Sequence, residues 1–453
     1  MKGLTICAIS TAPGAGGIAV ARVSGPDAVA IVSKVWRGCR LEVIKSHTAH
    51  LGYVEDPASG ETLDNVVLTY FKSPNSYTGE DVIEISMHGS RWIQHELIDL
   101  LIRQGASMAD RGEFTRRAVA NGRLDLAEAE AVADMIGATS KAAQRIAISH
   151  LRGEYSGQLK QLRDQLVELA ALVELELDFS EEDVEFADRS QLLQLAETLH
   201  QRVSSLASSY RNGRALKEGI PVAIAGSTNA GKSTLLNRLL HDDKAIVSDI
   251  HGTTRDTIED TAEINGVLFR FIDTAGLRQT SDKIESIGIR RSHSAIANAA
   301  VVLWVVDPTA DSPLIAWKDI EPNLADDAKV IAVINKSDLK AAKFDLPSRV
   351  ADTISISALS DSSLNPLEKI LTSLSMVDEL QPALTVTNAR HYEALTRAES
   401  SSKNIIEGLM ANLPGDLLAQ DIRETITHLS EITDPITTPT LLSTIFERFC
   451  IGK

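Results

Sequence analysis

The first part of the chain mixes the residue pattern of β-strands with that of helices. Strand-like runs cover residues 5–9, 18–23, 65–71 and 81–87, and helical spacing appears near residues 27–36 and 91–104. Because strands and helices are interspersed without the regular alternation of a parallel sheet, residues 1–118 are predicted to form an α+β domain.

A glycine-rich segment in this region resembles a dinucleotide-binding motif. Residues 14–19, Gly-Ala-Gly-Gly-Ile-Ala, satisfy G-x-G-x-x-A after a strand. The residues that follow continue as a strand, and a helix signal begins only after Asp27. We therefore predict a tight turn between two strands rather than a dinucleotide site.

Residue spacing typical of helices dominates on both sides of the middle of the chain. In residues 119–212, apolar residues recur at spacings of three and four, as expected for bundle helices: Leu159, Leu162, Leu166, Leu169 and Val173, then Leu192, Leu195, Leu199, Val203 and Leu206. Amphipathic runs return in residues 377–453, near 388–411, 416–431 and 440–449. The two regions are predicted to be halves of one all-α helical domain.

Between these halves, residues 216–376 alternate apolar strands with helices. The predicted strands are Pro221 to Ala225, Val267 to Ile272, Val301 to Val306, Lys329 to Ile334 and Thr353 to Ile356. Strands this apolar, separated by helices, form a parallel sheet covered on both faces. The chain is thus predicted to be multidomain, with an α/β domain inserted into the helical domain.

The first strand of the inserted domain leads into Gly226-Ser-Thr-Asn-Ala-Gly-Lys-Ser233, which fits the phosphate loop G-x-x-x-x-G-K-[ST]. Backbone N–H groups and a helix N-terminus can hold an anion there. Lys232 can reach the outer phosphates, and the Ser233 hydroxyl can ligate Mg²⁺. The loop contacts are expected from Asn229, Ala230, Gly231, Lys232, Ser233 and Thr234.

Further motifs follow in the order that GTPases require. Asp273-Thr-Ala-Gly276 leaves a strand, so that Asp273 can hold the outer shell of Mg²⁺, and Thr254 is a candidate switch residue that completes the metal shell. Asn335-Lys-Ser-Asp338 predicts guanine over adenine, because a carboxylate at 338 accepts from N1–H and the 2-amino group. The remaining expected contacts are Thr274, Ala275, Gly276, Asn335, Lys336, Ser357, Ala358 and Leu359.

One position departs from the common switch GTPase. Leu277 stands where many members carry a water-orienting glutamine, and its side chain cannot hydrogen-bond water. The attacking water must be oriented from elsewhere, with Asp282 and Glu285 as nearby carboxylates. The charge of the transition state must be stabilised by an arginine or a cation, and Asn229 could ligate a cation.

Composition is that of a soluble globular protein. The 453 residues are 43% hydrophobic and 24% charged, without an apolar run of bilayer length or a signal peptide. A cytoplasmic protein without membrane attachment is expected, with its three cysteines reduced. The net charge of −17 argues against bulk binding of nucleic acid, and the nearby Arg111, Arg116, Arg117 and Arg123 are expected to form a solvated face.

Taken with these motifs, the sequence resembles the MnmE (TrmE) family of tRNA modification GTPases, which are similar to the potassium-activated GTPases. The resemblance covers essentially the whole chain and rests on residues 13–18, 76–84, 112–118 and 124–131, the inserted domain, and the final Phe-Cys-Ile-Gly-Lys.

The resemblance implies a GTP hydrolase that works on certain tRNAs with an FAD-dependent partner, MnmG. Together they would add an aminomethyl or carboxymethylaminomethyl group to carbon 5 of the wobble uridine, in a heterotetramer or larger complex. Members are homodimers joined by the N-terminal domain, which binds 5-formyl-tetrahydrofolate. The implied folate contacts are Arg22, Glu84, Arg123, which is lysine in several members, and Lys453.

The resemblance also answers the difficulty raised by Leu277. K⁺ would supply the missing charge while two G domains dimerise, with Asn229, Ser248, Ile250 and Thr253 as ligands. Thr253 and Ser248 would also lie at the nucleotide. Catalysis is then expected to depend on Lys232, on Thr254, and on Glu285 as the residue that orients water. Cys450 is either a reactive thiol beside the folate or a buried structural cysteine.

Two other functions are compatible with a phosphate loop. A regulatory ribosome-assembly GTPase is disfavoured, because no basic RNA-binding module follows the inserted domain. A scaffold with an inactive nucleotide site is disfavoured by the intact Lys232, Ser233, Asp273 and Asp338.

Overall fold

In the computed structural model, the described residues are 4–178, 189–241, 259–273, 285–341, 344–360, 364–375, 377–379, 381–434, 446, 449 and 452. The chain divides into two compact, discontinuous units. The first unit comprises Met1–Ile136, His150–Val167 and Arg423–Lys453, and the second comprises Gly137–Ser149 and Glu168–Ile422.

The first unit contains a seven-stranded sheet in the order β3-β4-β5-β6-β2-β1-β7. Neighbouring strands are antiparallel except β1 and β7. Buried residues of the sheet and of α1 and α2 form one core, which confirms the α+β prediction. The elements are β1 (Ile6–Ile9), β2 (Gly16–Ser24), α1 (Ala28–Val35), β3 (Trp36–Arg37), β4 (Thr48–Glu55), β5 (Thr62–Phe71), β6 (Val82–Gly89), α2 (Arg91–Arg103), β7 (Ser107–Met108) and α3 (Glu113–Ala120).

The glycine-rich segment does connect two strands. β2 begins at Gly16 and pairs antiparallel with β1, from Ile9 opposite Ala21 to Ile6 opposite Ser24. A dinucleotide fingerprint needs a helix at this point, so the turn is confirmed.

Strands β3, β4 and β7 and helix α3 were not predicted from the pattern. β4 has a glycine in its interior, and apolar Leu51 and Tyr53 lie on its exposed face, which weakens the strand signal. The tertiary structure explains this glycine, because a Cβ at Gly52 would lie 2.4 Å from the Trp36 ring. Two-residue strands such as β3 are too short to give a period.

Six long helices carry the remaining helical texture. The predicted apolar stripe on α6 is buried at every position, and the stripe on α7 is buried except at Leu195, where Ala196 takes the core position. The predicted helix near 440–449 falls largely outside the described residues. The six are α4 (Leu126–Gly137), α5 (Lys141–Leu151), α6 (Glu154–Asp178), α7 (Arg189–Glu218), α12 (Ala389–Met410) and α13 (Gly415–Thr433).

Within the second unit, α7 packs closely against the segment that includes α12. The Tyr210 and Tyr392 rings stack with centroids 4.5 Å apart, and His200 hydrogen-bonds Ser402 at 2.9 Å. A Cβ at Gly213 would lie 2.2 Å from the Val386 carbonyl oxygen. Helix α7, before the inserted sheet, and the segment with α12, after it, therefore pack together.

The second unit also contains a six-stranded sheet in the order β13-β12-β11-β8-β10-β9. All neighbours are parallel except β9, which pairs antiparallel with β10. The elements are β8 (Ile220–Gly226), α8 (Lys232–His241), β9 (Glu259–Ile264), β10 (Val267–Asp273), α9 (Glu285–Asn298), β11 (Val301–Val306), α10 (Trp317–Ile320), β12 (Lys329–Ile334), β13 (Val350–Ser355) and α11 (Asn365–Leu374).

Both faces of this sheet are covered, as predicted. Val222 and Ile224 of β8 belong to one buried cluster, and Ala223 and Ala225 belong to the other. The last predicted strand, Thr353 to Ile356, is shifted, because β13 begins at Val350 and ends at Ser355. β9 was missed because its sequence, Glu-Asp-Thr-Ala-Glu-Ile, is charged, as edge strands often are.

Helix α5 packs on the strand pair β9 and β10. The Ala142 N–H donates to the Gly266 carbonyl at 2.9 Å, and Ala142 and Ile146 belong to the core of the sheet. None of the described helices is long and apolar enough to cross a membrane.

Candidate nucleotide site

The phosphate loop connects the end of β8 to the start of α8, as its motif predicts. Gly226 has φ 147°, and a Cβ there would lie 2.3 Å from the Val305 carbonyl oxygen. Gly231 has φ 98°, and a Cβ there would lie 2.1 Å from Nδ2 of Asn335. Both glycines are thus required by backbone conformation and by close neighbours.

The polar residues of the loop surround an anion-binding helix terminus. The Lys232 ammonium donates to the carbonyl oxygens of Gly226 and Ser227 at 2.9 and 2.8 Å. Ser233 and Thr234 are exposed in the first turn of α8, and Ala230 is buried behind them. The arrangement offers N–H groups, an ammonium and a hydroxyl oxygen to a phosphate chain.

Asn335 joins the phosphate loop to the loop expected to contact guanine. Its Nδ2 donates to the Ala230 carbonyl at 2.9 Å, and its Oδ1 accepts from the Ala358 N–H at 2.9 Å. The side chain is 3% exposed, so these partners satisfy buried polar atoms. The sequence placed Asn335 among the nucleotide contacts but did not reveal this connecting role.

Lys336 adds a second connection. It has φ 56°, and its ammonium donates to the Asn229 carbonyl at 3.1 Å and to Oδ2 of Asp307 at 2.5 Å. Asp307, which follows β11, was not among the predicted site residues. Its only sequence signal is a carboxylate at the carboxyl end of a central strand, where α/β sheets bind ligands.

The residues predicted to contact guanine stand at the same edge of the sheet. The Ser337 N–H donates to the Ile356 carbonyl at 3.0 Å, which fixes the loop that presents Asp338. Asp338 and Leu359 are both exposed. A guanine base placed there could bind the Asp338 carboxylate directly, because that carboxylate is exposed.

The switch residues are only partly described. Asp273 ends β10, opposite Ile224 in the strand that leads into the phosphate loop, and Glu285 begins α9. Ser233 presents an exposed oxygen of the kind that Mg²⁺ prefers, so its place in the loop fits that ion. The other predicted switch and cation residues lie outside the described residues: Ser248, Ile250, Thr253, Thr254, Thr274, Ala275, Gly276, Leu277 and Asp282.

In the first unit, two predicted folate residues meet. Arg22 donates from Nε and Nη2 to Oε1 of Glu84 at 3.0 and 2.8 Å. Its guanidinium lies 5.4 Å from the Tyr77 ring centroid and 5.5 Å from that of Phe114. The two aromatic residues hold the arginine plane by cation–π contact, a role that the sequence did not reveal.

The end of the chain also reaches Arg22. The Gly452 carbonyl accepts from Oγ of Ser10 at 2.9 Å and from Nη1 of Arg22 at 3.4 Å. Gly452 has φ 99°, and a Cβ there would lie 2.0 Å from the Ile9 carbonyl oxygen, so only glycine fits. Lys453 and Cys450 lie outside the described residues.

The remaining predicted folate residue, Arg123, is exposed beside a cavity of about 360 Å³. Tyr77 lines this cavity and also contacts Arg22, so one side chain joins the surroundings of both arginines. The cavity is lined by His47, Phe71, Asn75, Ser76, Tyr77 and Arg123.

The arginine cluster is only partly the solvated face that the sequence predicted, because Arg111 and Arg123 are exposed but Arg116 and Arg117 are not. Arg117 is largely buried and pairs with Glu113 at 2.9 Å and with Glu80 at 3.0 Å. Arg116 lies within 3.7 Å of Glu113. Glu113 lies one helical turn before Arg117, but local spacing could not reveal Glu80, which is 37 residues away.

The described cysteines carry no visible chemistry. Cys7 is buried, and this burial raises the pKa of its thiol to about 11, so it remains protonated at neutral pH. Cys39 is exposed and unpaired.

A phosphate loop joined by Asn335 to an N-K-x-D loop, on a mostly parallel sheet, places the second unit in the class of P-loop GTPases. Two family models match the chain: the N-terminus of the GTP-binding protein TrmE over residues 5–123, and the MnmE helical domain over residues 126–450. The chain therefore belongs to the MnmE (TrmE) family.

Full-length relatives agree with this assignment. The chain is 49% identical to the tRNA modification GTPase MnmE of Parabacteroides distasonis, with 99% of this chain and 100% of that protein aligned. It is 46% identical to the protein of the same name from Bacteroides thetaiotaomicron over 99% of both chains. The match to that of Cytophaga hutchinsonii is 46% identical and covers 99% of this chain and 98% of the relative.

Proposed function

We propose that the protein hydrolyses GTP in the modification of tRNA. The observation that carries the proposal is a phosphate loop joined to a guanine-reading loop, in a chain aligned nearly end to end with proteins named tRNA modification GTPase. The modified position would be carbon 5 of the wobble uridine, and FAD-dependent MnmG would be the partner. A cytoplasmic location would match that substrate.

In the proposed hydrolysis, each part of the nucleotide site has a separate task. The α8 N-terminus and Lys232 hold the phosphates, and the Asp338 carboxylate selects guanine through its two ring-edge donors. Mg²⁺ held by Ser233 and Thr254, with Asp273 in its outer shell, would neutralise phosphate charge. Glu285 would orient the attacking water in place of the glutamine that Leu277 replaces.

K⁺ is proposed to supply the remaining positive charge at the phosphate loop. Asn229 stands at φ 63° within the loop, and its carbonyl is held by Lys336. This fixed backbone gives its amide oxygen a defined position from which to ligate a cation, together with Ser248, Ile250 and Thr253. The cation site would be completed when two G domains of a homodimer meet.

The first unit is proposed to bind 5-formyl-tetrahydrofolate and to form the permanent contact of the homodimer. The Arg22–Glu84 pair, the exposed Arg123 and the chain end at Gly452 support this assignment. Arginine side chains can bind the carboxylates of a folate, and an aromatic ring such as Tyr77 can lie against its pterin. Lys453 would add a cation at the end of the chain.

Loss of the protein should remove one class of wobble-uridine modification from tRNA. Mass spectrometry of digested tRNA should show a uridine unmodified at carbon 5 in place of the 5-aminomethyl-type nucleoside. Re-expression of the wild type should restore the modified nucleoside, whereas a Lys232→Ala variant should not. Unchanged nucleosides together with accumulated ribosome precursors would contradict the proposal and support a regulatory GTPase.

Arg123→Ala should weaken binding of 5-formyl-tetrahydrofolate by about tenfold, the effect of losing one charge-assisted hydrogen bond. Arg123 is exposed, so the variant should fold normally. Calorimetric titration with 5-formyl-tetrahydrofolate measures the change, and Arg123→Lys should retain most of the affinity because the charge is kept.

The matched control for this titration is Arg40→Ala, an exposed arginine of the same unit. It should leave folate binding unchanged, and GTP hydrolysis should be unaffected in both variants. Equal folate affinity in Arg123→Ala and Arg40→Ala would remove Arg123 from the folate site.

A further inference from the structure

Asp307 is a largely buried carboxylate at the edge of the nucleotide site. It follows the last residue of β11 and is 8% exposed. Its two oxygens have different partners. Oδ1 accepts from the N–H and the hydroxyl of Thr309 at 2.8 and 2.6 Å, whereas Oδ2 accepts from the Lys336 ammonium at 2.5 Å.

The Lys336 ammonium bridges this carboxylate to the phosphate loop, since it also donates to the Asn229 carbonyl at 3.1 Å. Asn229 and Lys336 both have positive φ, at 63° and 56°, a conformation that is uncommon outside glycine. Such backbone persists only where surrounding contacts hold it. The hydrogen bond from the Lys336 ammonium to the Asn229 carbonyl links the N-K-x-D loop to the phosphate loop.

The charge state of Asp307 agrees with this geometry. Burial alone would raise the pKa of its carboxyl, but the hydrogen bonds from Lys336 and Thr309 outweigh burial, so the pKa is lowered. The carboxylate is therefore ionised at neutral pH and gives Lys336 a charge-assisted partner. Without that partner the flexible lysine would have only a neutral carbonyl to bind.

We propose that Asp307 is a positioning residue, which orients Lys336 so that the lysine holds the Asn229 backbone and thereby sets both nucleotide retention and the response to K⁺. The proposal rests on the proposed GTPase function and adds a residue to it. In this role Asp307 acts through Lys336 and not through a contact of its own with the nucleotide. Its contact with Lys336 is made by one carboxylate oxygen, Oδ2.

A purely structural role would use the other oxygen. Oδ1 holds the turn at Thr309, and that turn could be the whole purpose of the residue. The two roles are separable, because Thr309→Val removes only the hydroxyl contact to Oδ1 and leaves the Lys336 contact in place. Asp307→Asn keeps the shape of the side chain and removes the charge that Lys336 meets.

The test compares GDP dissociation in wild type, Asp307→Asn, Thr309→Val, Lys336→Ala and the double variant Asp307→Asn/Lys336→Ala. Fluorescent GDP is chased with excess GDP, so that the rate reports only folded, loaded molecules. Asp307→Asn should dissociate GDP about tenfold faster, because the ion pair with Lys336 is replaced by a weaker hydrogen bond from the ammonium to a neutral amide. Thr309→Val should stay within about twofold of wild type, because the hydroxyl contact that it removes is to Oδ1 and not to the oxygen that meets Lys336.

The double variant decides whether Asp307 acts through Lys336. If it does, the double variant should dissociate GDP at the rate of Lys336→Ala alone, since the mediator is already absent. Asp307→Asn should also raise the K⁺ concentration for half-maximal GTP hydrolysis, a midpoint that does not depend on the folded fraction.

Three outcomes overturn the proposal. They are a wild-type dissociation rate in Asp307→Asn, independent and additive effects in the double variant, and equal effects of Asp307→Asn and Thr309→Val. These outcomes leave the proposed GTPase function intact if the wild type hydrolyses GTP. Absence of GDP binding by the wild type would overturn both.

Discussion

Asp338→Asn should convert the protein from a guanine to a xanthine nucleotide enzyme. In the proposed site, Asp338 would accept from N1–H and from the 2-amino group of guanine, whereas xanthine carries an oxygen at position 2. An asparagine side chain can accept from N1–H of xanthine and donate to its 2-oxygen. With guanine, the asparagine NH₂ group faces the 2-amino group, and two donors cannot form a hydrogen bond. A mismatch of this kind at a hydrogen-bonding site costs on the order of 10⁴-fold in kcat/KM.

The structure supports a change of preference rather than a loss of folding. Asp338 is exposed, and the loop that carries it is held by Asn335 and by the Ser337 backbone. Hydrolysis of GTP and of xanthosine triphosphate should be measured side by side. The matched control is Asp352→Asn, an exposed aspartate on β13, which should keep the wild-type preference. Continued use of GTP by Asp338→Asn would place guanine recognition elsewhere.

GTP hydrolysis should be at least about tenfold faster in K⁺ than in Na⁺ at the same ionic strength. In the proposed site, a bound cation rather than an arginine stabilises charge at the phosphate loop, and loss of one such electrostatic contact costs about 10²–10³-fold in kcat. Oxygen ligands can select K⁺ by their number and field strength. Initial rates in the two salts, at saturating GTP and Mg²⁺, measure the effect.

Two variants separate the binding of K⁺ from the orientation of the attacking water. Asn229→Gly removes the amide ligand without strain, because glycine adopts φ 63° readily, so it should lose stimulation by K⁺ while retaining GDP. Glu285→Ala should still bind GTP in K⁺ but should not turn it over. Equal wild-type rates in the two salts would eliminate the cation, and an unimpaired Glu285→Ala would transfer the water-orienting role to Asp282.

Much of the second unit could be predicted because its signals are local. Four of the five predicted strands coincide with β8, β10, β11 and β12 to within one residue, since each is rich in apolar residues. β9 was missed because an edge strand needs only one buried face. β13 was displaced because only Ile354 of its six residues is buried, so no apolar run marked its start.

The sequence predicted which residues belong to the nucleotide site but not which contacts they make with one another. The motif implied a use for Asn335, yet its links to Ala230 and Ala358 join segments that lie 105 and 23 residues away. The same limit applies to Asp307, whose partner Lys336 is 29 residues distant. Spacing within a motif carries no information on partners in other strands.

The first unit shows most clearly that local sequence does not reveal contacts between distant segments. The arginines near residue 117 form a cluster in sequence, but Arg117 is buried between carboxylates on two different segments. The family resemblance implied that Arg22 binds a ligand, whereas its contacts with the Tyr77 and Phe114 rings depend on the tertiary structure.

By itself, the sequence determined the class of fold, the order of the GTPase motifs and the preference for guanine, because periodicity, glycine spacing and a single carboxylate are local properties. Only the tertiary structure decided which side chains hold the phosphate loop in shape, which glycines are required by a neighbour, and where the chain end lies. Those contacts join residues up to 442 positions apart, and their energies depend on burial and distance, which no local pattern encodes.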